Sequence, residues 1–380
     1  MNAQRTPDPE RQTQARRYAR LRRRLIPISL GIGLCWALGL LLSGLSVDLR
    51  AALTDLTTHR ALQVTLYSLI IGIGYTLLDL PLSYYGGFVL PHRFDLSTQS
   101  LKGWITDQIK GALVSGVLGL LMLQVLYLAL TTWPDHWWLP VGIVYLLFAV
   151  VLSALAPILI APLFFKFTPL GEERQDLVER LIALAERAGT HVRGVYRIDM
   201  SRRTKAANAA LMGLGSSRRI VLGDTLLNEF TPDEIETILA HELGHQVHHD
   251  IPLAILIQPL ITLPGLWLAS LTLKWGVDLL NLKGVNDVAG LPWLALVLAG
   301  LGLVTTPLTN AWSRWRERLA DRYAVKATGK PQAFTSALVR LADQNLSEAD
   351  PPRWVEWLLY SHPPLGKRIA AVQATTREGT

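Results

Sequence analysis

The sequence predicts a predominantly α-helical integral membrane protein, in which a bundle of spanning helices carries a smaller α+β domain on one side of the bilayer. Three observations support this fold class. The mean hydropathy of the 380 residues is +0.28, the apolar residues form long blocks, and basic residues cluster beside those blocks. Lys and Arg outnumber Asp and Glu by 37 to 30. Because they flank apolar blocks, they indicate membrane topology, and we expect no nucleic-acid partner.

The chain begins with a basic tail, residues 1–24. Residues 16–24 include six arginines and directly precede the uncharged stretch 25–47. The apolar region of a cleaved signal peptide is shorter, about 7 to 15 residues, and ends in small residues at a cleavage site. This stretch has neither property, so we expect a membrane anchor that is retained.

Further apolar stretches are each long enough to cross about 30 Å of hydrocarbon as a helix. They cover residues 62–89, 111–130, 139–164, 252–273 and 291–308. Together with the first stretch they predict six spans, four within 25–164 and two within 251–310, although hydropathy alone can overlook a seventh. The tail and the loop with His92, Arg93, Lys102 and Lys110 are the basic short segments, which places the tail in the cytoplasm. Residues 165–250 and 311–380 then face the cytoplasm as well.

These two cytoplasmic parts read as one α+β domain. Residues 171–189 have the pattern of an amphipathic helix. Short, partly β-branched segments predict a small sheet, with strands at 192–200, 209–214 and 219–222. A helix over 231–250 starts at a capping box made by Thr231 and Glu234. A further helix is predicted over 311–328.

The capped helix contains the pentapeptide His241-Glu242-Leu243-Gly244-His245. Because His241 and His245 are four residues apart, their imidazoles lie on one face and can bind a single Zn²⁺. Zinc lowers the pKa of its bound water toward about 7, and the carboxylate of Glu242 can take the proton as that water attacks a peptide carbonyl. Cys35 is the single cysteine, so a thiolate cluster is excluded. The pattern predicts one zinc ion per chain and a hydrolytic reaction.

A catalytic zinc needs a third protein ligand and an open position. Glu317 lies on the helix that returns to the same side of the membrane, and Asp321 follows one turn later on the same face. Glu317 could bind the metal while Asp321 accepts the free ring N–H of a histidine. Equally, Glu317 could neutralise Arg314, Arg316 or Arg318 on a solvated helix face. The residues alone leave both interpretations open.

An ordered set of motifs extends over most of the chain from about residue 78. It consists of LPLSYY at 80–85, IAPLF at 160–164, KFTPL at 166–170, Asn208-Ala209, RIVL at 219–222, HELGH at 241–245, the segment around Glu317, and YSHPPL at 360–365. In this set the chain resembles the type 1 CAAX prenyl proteases, integral-membrane zinc metallopeptidases that trim prenylated proteins in eukaryotes and have bacterial relatives. HELGH alone is shared by many metallopeptidases, whereas the ordered set is specific.

The resemblance implies roles for several further residues. Glu317 matches the family's third zinc ligand, and Asp321 matches the acid that supports a ligand. Asn208 and Ala209 match an edge-strand pair that binds the substrate backbone. The resemblance also implies a zincin-like peptidase domain and a water-filled chamber within the helix bundle.

Two residues near the C-terminus match those that contact the substrate carbonyl, namely His362 and Arg368. Donors there would stabilise the oxyanion as charge develops. Departures from the eukaryotic pattern affect substrate preference and topology. Ala210, Leu211 and Met212 replace aromatic residues after the Asn-Ala pair, Asp250 stands where many members have a histidine, and six spans replace seven.

The leading hypothesis is a zinc endopeptidase that cleaves peptides near the cytoplasmic membrane surface, in the inner membrane of a bacterium. Its substrate could be a prenylated CAAX tail, a lipid-anchored precursor or a damaged membrane protein, the last meaning membrane-protein quality control. The alternative is a catalytically silent membrane scaffold that keeps zinc only for structure. A protease cutting within the bilayer fits less well, because the helix is polar at both ends. The sequence specifies no oligomeric state.

Overall fold

The computed structural model describes residues 6–213 and 215–378. Helices dominate it, and one small sheet lies between the fourth and fifth long apolar helices. The helices are α1 (Pro9–Leu42), α2 (Leu45–Leu56), α3 (Arg60–Tyr84), α4 (Leu90–Arg93), α5 (Leu101–Thr132), α6 (Trp138–Leu155), α7 (Ala161–Phe164), α8 (Gln175–Arg187), α9 (Asp224–Glu229), α10 (Pro232–Val247), α11 (Asp250–Leu279), α12 (Leu291–Thr328), α13 (Pro331–Gln344), α14 (Arg353–Leu359) and α15 (Leu365–Glu378).

Six segments of the described chain are long and apolar enough to cross a membrane, as the sequence predicts. They are Pro9–Leu42, Arg60–Arg93, Leu101–Thr132, Trp138–Phe164, Asp250–Leu279 and Val288–Thr328. The second and fourth are continuous because π-helical turns join α3 to α4 and α6 to α7. α2 follows the first span but has only 12 residues, which is too short to cross.

The spanning helices are arranged in a closed ring. α1 contacts α3, α3 contacts α5, α5 contacts α6, α6 contacts α11, α11 contacts α12, and α12 returns to α1. In the most apolar windows of α6 and α11 no residue is buried by protein. Helices packed around a filled centre would each bury a stripe of side chains. The low burial therefore fits a hollow bundle such as the expected chamber.

The basic tail and the first span form one continuous helix, because α1 begins at Pro9 and ends at Leu42. Asp8 caps it by accepting from the backbone N–H groups of Glu10 and Arg11. Ala15 and Tyr18 lie on one face and are buried against Leu90, Phe94 and Leu346. This apolar face holds the helix against the α+β domain. Residues 1–5 of the predicted tail lie outside the described residues.

The sheet has four strands, β1 (Phe167–Pro169), β2 (Val195–Ile198), β3 (Ala209–Met212) and β4 (Arg219–Gly223), in the order β1-β2-β4-β3. β2 and β4 pair in parallel, while β1 and β3 pair antiparallel with their neighbours. The three predicted strands are present, although residue 214 of the second lies outside the described residues. β1 was missed because three residues give too short a pattern. β3 is an edge strand, and it contacts α10.

The α+β domain packs around α10, whose inner face is almost wholly buried. The predicted capping box is present, with Thr231 and Glu234 each bonded to the other's backbone N–H. α10 and α12 are in close contact at Gly244, where a Cβ would lie 2.8 Å from Cα of Ala320. α12 is one helix of 38 residues, so the predicted span and the helix over 311–328 are continuous. α12 therefore belongs both to the ring of spanning helices and to the α+β domain.

Candidate metal centre

α10 places two imidazoles on the face that meets α12. The ring centroids of His241 and His245 are 4.9 Å apart, as expected for residues one helical turn apart. The carboxylate of Glu317 lies between them, with Oε2 3.3 Å from Nε2 of His241 and Oε1 3.5 Å from Nε2 of His245. One ligand atom from each of the three residues lies within 4.8 Å of the others. The helix–helix contact therefore brings together the predicted ligand set.

His241, Asp321 and Arg368 form a chain that we call the His241 arm. Nδ1 of His241 lies 2.9 Å from Oδ1 of Asp321, although the approach is poorly aligned for a hydrogen bond. Arg368 donates to both oxygens of Asp321 through Nε and Nη2, at 2.9 and 2.6 Å. Burial alone would lower the pKa of His241, but the carboxylates of Asp321 and Glu317 raise it to about 9. The two carboxylates thus favour positive charge at this position, which a bound cation would supply while the imidazole is neutral.

His245, Asp250 and Arg316 form the second chain, the His245 arm. Nδ1 of His245 is hydrogen-bonded to Oδ2 of Asp250 at 2.7 Å, and Nε of Arg316 donates to Oδ1 at 2.7 Å. Asp250 reaches back because His249, with a φ of 55°, turns the chain between α10 and α11. The sequence interpretation missed this role and noted Asp250 only as a departure from a histidine. Its position just past the helix that carries His245 was the available signal.

The residues at this centre fit a metal ion. Two neutral imidazoles and a carboxylate are a common donor set for a catalytic metal, and carboxylates near both Nδ1 atoms leave the Nε2 atoms to coordinate. Oε2 of Glu317 is buried and has no hydrogen-bond partner, which a bound cation would satisfy.

The competing interpretation is that Glu317 neutralises Arg314, Arg316 or Arg318. In the described structure Glu317 forms no ion pair with these arginines. Arg314 donates to the backbone carbonyls of Glu356 and Tyr360, and Arg316 binds Asp250. Glu317 is instead bordered by histidines, including His362, whose Nε2 lies 3.1 Å from Oε1 of Glu317. This arrangement favours metal binding over neutralisation of neighbouring arginines.

The other predicted catalytic residues lie beside the metal centre. Glu242 is half-buried beside His241 on α10, and its charge acts on Arg368. His362 precedes α15, and its side chain is 61% exposed, so it is accessible to a substrate. Arg368 is held by Asp321 through Nε and Nη2, so Nη1 is the donor that remains for another group.

The predicted substrate-binding pair lies at the start of the edge strand. Ala209 opens β3, and the carbonyl of Asn208 accepts from the backbone N–H of Gly223. A cavity of about 490 Å³ connects Asn208 with His362, Arg368 and Tyr360. An edge strand next to a cavity is a suitable surface for an extended peptide.

A helical membrane bundle joined to an edge strand and a His-His-Glu centre defines the class of membrane metallopeptidases. Comparison with known proteins supports this class along the whole chain. The model of peptidase family M48 matches residues 171–376, and a model described as CAAX prenyl protease N-terminal, five membrane helices, matches residues 3–166. The chain therefore belongs to peptidase family M48 and is a membrane metalloprotease. Within 3–166 the described residues contain four spans, one fewer than that description gives.

Individual relatives agree with this assignment. The uncharacterized metalloprotease YhfN of Bacillus subtilis (strain 168) is 32% identical over 346 residues, covering 90% of this chain and 80% of the relative. CAAX prenyl protease 1 of Saccharomyces cerevisiae is 34% identical over 319 residues, covering 78% and 69%. The crystal structure of Ste24p from S. mikatae superposes with a TM-score of 0.85 at 26% identity, covering 96% of this chain and 89% of that one. The predicted family and fold class are confirmed.

Proposed function

We propose that the chain is a zinc-dependent endopeptidase that cleaves peptide segments of membrane-associated proteins at the cytoplasmic surface. The observation that carries the proposal is the convergence of His241, His245 and Glu317, with carboxylates beside both Nδ1 atoms. Such orientation of ligand imidazoles by acids is characteristic of functional metal sites.

The chain's own residues divide the catalytic work. Zinc held by His241, His245 and Glu317 would supply the Lewis acidity that makes water nucleophilic near neutral pH. Glu242 takes a proton from the attacking water and passes it to the amide nitrogen as the C–N bond breaks. His362 and Arg368 donate hydrogen bonds to the carbonyl oxygen as negative charge develops on it.

The substrate backbone adds to β3 beside Asn208 and Ala209. Pairing with an edge strand requires an extended segment, so a folded substrate must present a loop, a terminus or an unfolded region. The Saccharomyces relative is called CAAX prenyl protease 1, whereas the name of the Bacillus relative gives no substrate. In the bacterial host that we expect for this chain, membrane proteins are the available substrates. We favour turnover of damaged or membrane-anchored proteins over maturation of a prenylated tail.

The active site and both termini face the cytoplasm in this proposal, because arginines are concentrated ahead of the first span. Fusions after residue 378 test it in a bacterial inner membrane. A fluorescent-protein fusion should be bright and an alkaline phosphatase fusion inactive. The reverse result would place the site in the periplasm.

The catalytic proposal is tested with Glu242→Gln, which removes the proton acceptor and leaves the ligands in place. The variant should retain zinc and lose cleavage of an unfolded membrane-anchored peptide. Glu186→Gln is the matched control, since Glu186 is exposed on α8. Normal cleavage by Glu242→Gln would contradict the proposed role of Glu242 as proton acceptor.

The role of a lipid group is tested separately with a farnesylated peptide and its unmodified twin. Faster cleavage of the farnesylated form would assign prenyl recognition to this chain. Equal rates would remove it from the proposal and leave the peptide chemistry intact.

A further inference from the structure

Leucine side chains line part of the cavity beside the metal centre. Its described lining includes Leu338, Leu341 and Leu365 together with the predicted catalytic His362 and Arg368. A volume of about 490 Å³ is ample for one or two side chains. In the proposed peptidase, a substrate residue near the scissile bond would enter this space.

The described lining of this cavity contains one acidic side chain, Glu348. Its side chain is only 6% exposed, and Nη1 of Arg23 lies 2.5 Å from its Oε2. Arg23 also interacts electrostatically with Tyr360, another lining residue. An arginine from the first helix therefore neutralises the acidic group of a cavity formed by the C-terminal part of the chain.

The N-terminal end of α1 is fixed where it supplies this charge. Gln12 is buried, donates to Asp343 and to the carbonyl of Ser347, and accepts from the backbone N–H of Ala349. Ala349 directly follows Glu348. Two separate contacts thus hold α1 against the segment around Glu348, one through the hydrogen bonds of Gln12 and one through the charge of Arg23.

We propose that Arg23 determines specificity: by neutralising Glu348 it keeps the cavity selective for apolar substrate side chains. This inference rests on the proposed peptidase function and adds a residue that touches neither the metal centre nor the scissile bond. Without Arg23, the carboxylate of Glu348 would face the cavity unpaired. It would then disfavour an apolar side chain and attract a lysine or arginine.

The test uses the full-length zinc-loaded protein in detergent and a set of unfolded peptides. The peptides carry norleucine or lysine, which have similar length, at each position flanking a fixed cleavage region. Products are identified by mass spectrometry, and kcat/KM is measured for each norleucine and lysine pair. The wild type should prefer norleucine.

Arg23→Ala and Arg23→Met should each lower the norleucine-to-lysine ratio of kcat/KM by at least about tenfold, mainly through KM. Arg23→Met keeps an aliphatic stem in place and covers the case in which the alanine variant folds poorly. Glu348→Gln should keep the wild-type ratio. Combining Arg23→Met with Glu348→Gln should restore it, because the unpaired charge is then absent.

Gln12→Ala is the matched control, because it weakens docking of the same helix without changing a charge. It should leave the ratio unchanged. An unchanged ratio in both Arg23 variants would overturn the inference. So would a failure of the double variant to restore the ratio, or a switch in Gln12→Ala equal to that in Arg23→Met.

Cleavage by the wild type and by Glu242→Gln separates this inference from the proposed function. If the wild type cleaves, Glu242→Gln does not, and the Arg23 variants keep the wild-type ratio, only the inference fails. If the wild type cleaves no peptide in the set, both fail together.

Discussion

The two histidine arms of the metal centre differ in where their parts originate, although one helical turn separates the histidines. The His241 arm draws Asp321 from α12 and Arg368 from α15, so it exists only when distant segments pack together. In the His245 arm, Asp250 follows the same helix after a two-residue turn. The first arm is tertiary, and the second is largely local.

The histidines and the acids of the two arms also differ in burial. The side chain of His241 is 10% exposed and that of Asp321 is 5% exposed, against 24% for His245 and 16% for Asp250. A buried polar group that loses its partner has no water to replace it, whereas an exposed one does. We therefore expect the His245 arm to tolerate loss of its acid better than the His241 arm does.

The largest effect is expected where the arms meet. Glu317→Gln removes the ligand shared by both, so zinc content and peptide cleavage should fall to background, as they should after chelation of the wild type. Metal analysis and a cleavage assay measure both. Glu356→Gln is a control, because its carboxylate pairs with the exposed Lys367 and contacts none of the three ligands in the described structure. Normal zinc content and activity in Glu317→Gln would return Glu317 to the role of a neutralising surface charge.

The two arginines should separate catalysis from metal retention. Arg368 lines the substrate cavity, so Arg368→Met should lower kcat by about 10²- to 10³-fold in the zinc-saturated protein. Arg316 binds Asp250 and the carbonyl of His248, so Arg316→Met should leave kcat at zinc saturation nearly unchanged and weaken zinc binding. Equal kcat values for the two variants would contradict an oxyanion role for Arg368.

The two acids test the difference in burial directly. Loss of an acid that orients a ligand typically costs about 10- to 100-fold in metal affinity. Asp321→Asn should lie near the upper figure because the side chain of Asp321 is 5% exposed, against 16% for Asp250, so less water is available to replace the lost charge. Asp250→Asn should lie near the lower figure, since Arg316 keeps the carbonyl of His248. Competition with a zinc chelator measures both, and a larger loss for Asp250→Asn would reverse the proposed order.

The smallest effect concerns the start of α10, outside both arms. Hydrogen bonds from Lys330 and Arg180 lower the pKa of Asp233; burial opposes the shift at Glu236, but the same two cations lower its pKa too. A lowered pKa contributes stability above the unfolded value of about 4, and that stability is lost as pH falls through the folded value. We expect about 1 kcal/mol or less, because Asp233 is half exposed.

Thermal unfolding of wild type and Glu236→Gln measures this contribution. The difference in Tm should be present at pH 7 and shrink as the pH falls below about 4, through the folded pKa. A constant difference would show that the cluster acts through packing rather than charge.

The sequence predicted the parts of the fold that depend on local pattern. Apolar length identified six spans, and the pattern of Thr231 and Glu234 identified the start of α10. The spacing of His241 and His245 predicted their common face. Each of these features depends on residues within a few turns of one another.

Other features depend on contacts between distant segments and could not be predicted. Tyr18 shares a buried cluster with Leu346, and Arg23 pairs with Glu348. From the sequence, the arginine cluster was interpreted only as charge flanking a membrane span. Asp250 was missed for a different reason. Its role depends on the positive φ of His249, a conformation that non-glycine residues adopt rarely and that sequence pattern does not indicate.

We propose above all that the metal centre is catalytic, with three protein ligands and an open position. His362 provides the critical distinction, because its Nε2 lies 3.1 Å from Glu317 and could become a fourth ligand. An anomalous-scattering map at the zinc absorption edge tests this directly. We expect one zinc peak bonded to Nε2 of His241, Nε2 of His245 and the carboxylate of Glu317, with a non-protein fourth position. Coordination by His362 as well would close the site and support a structural zinc in a silent scaffold.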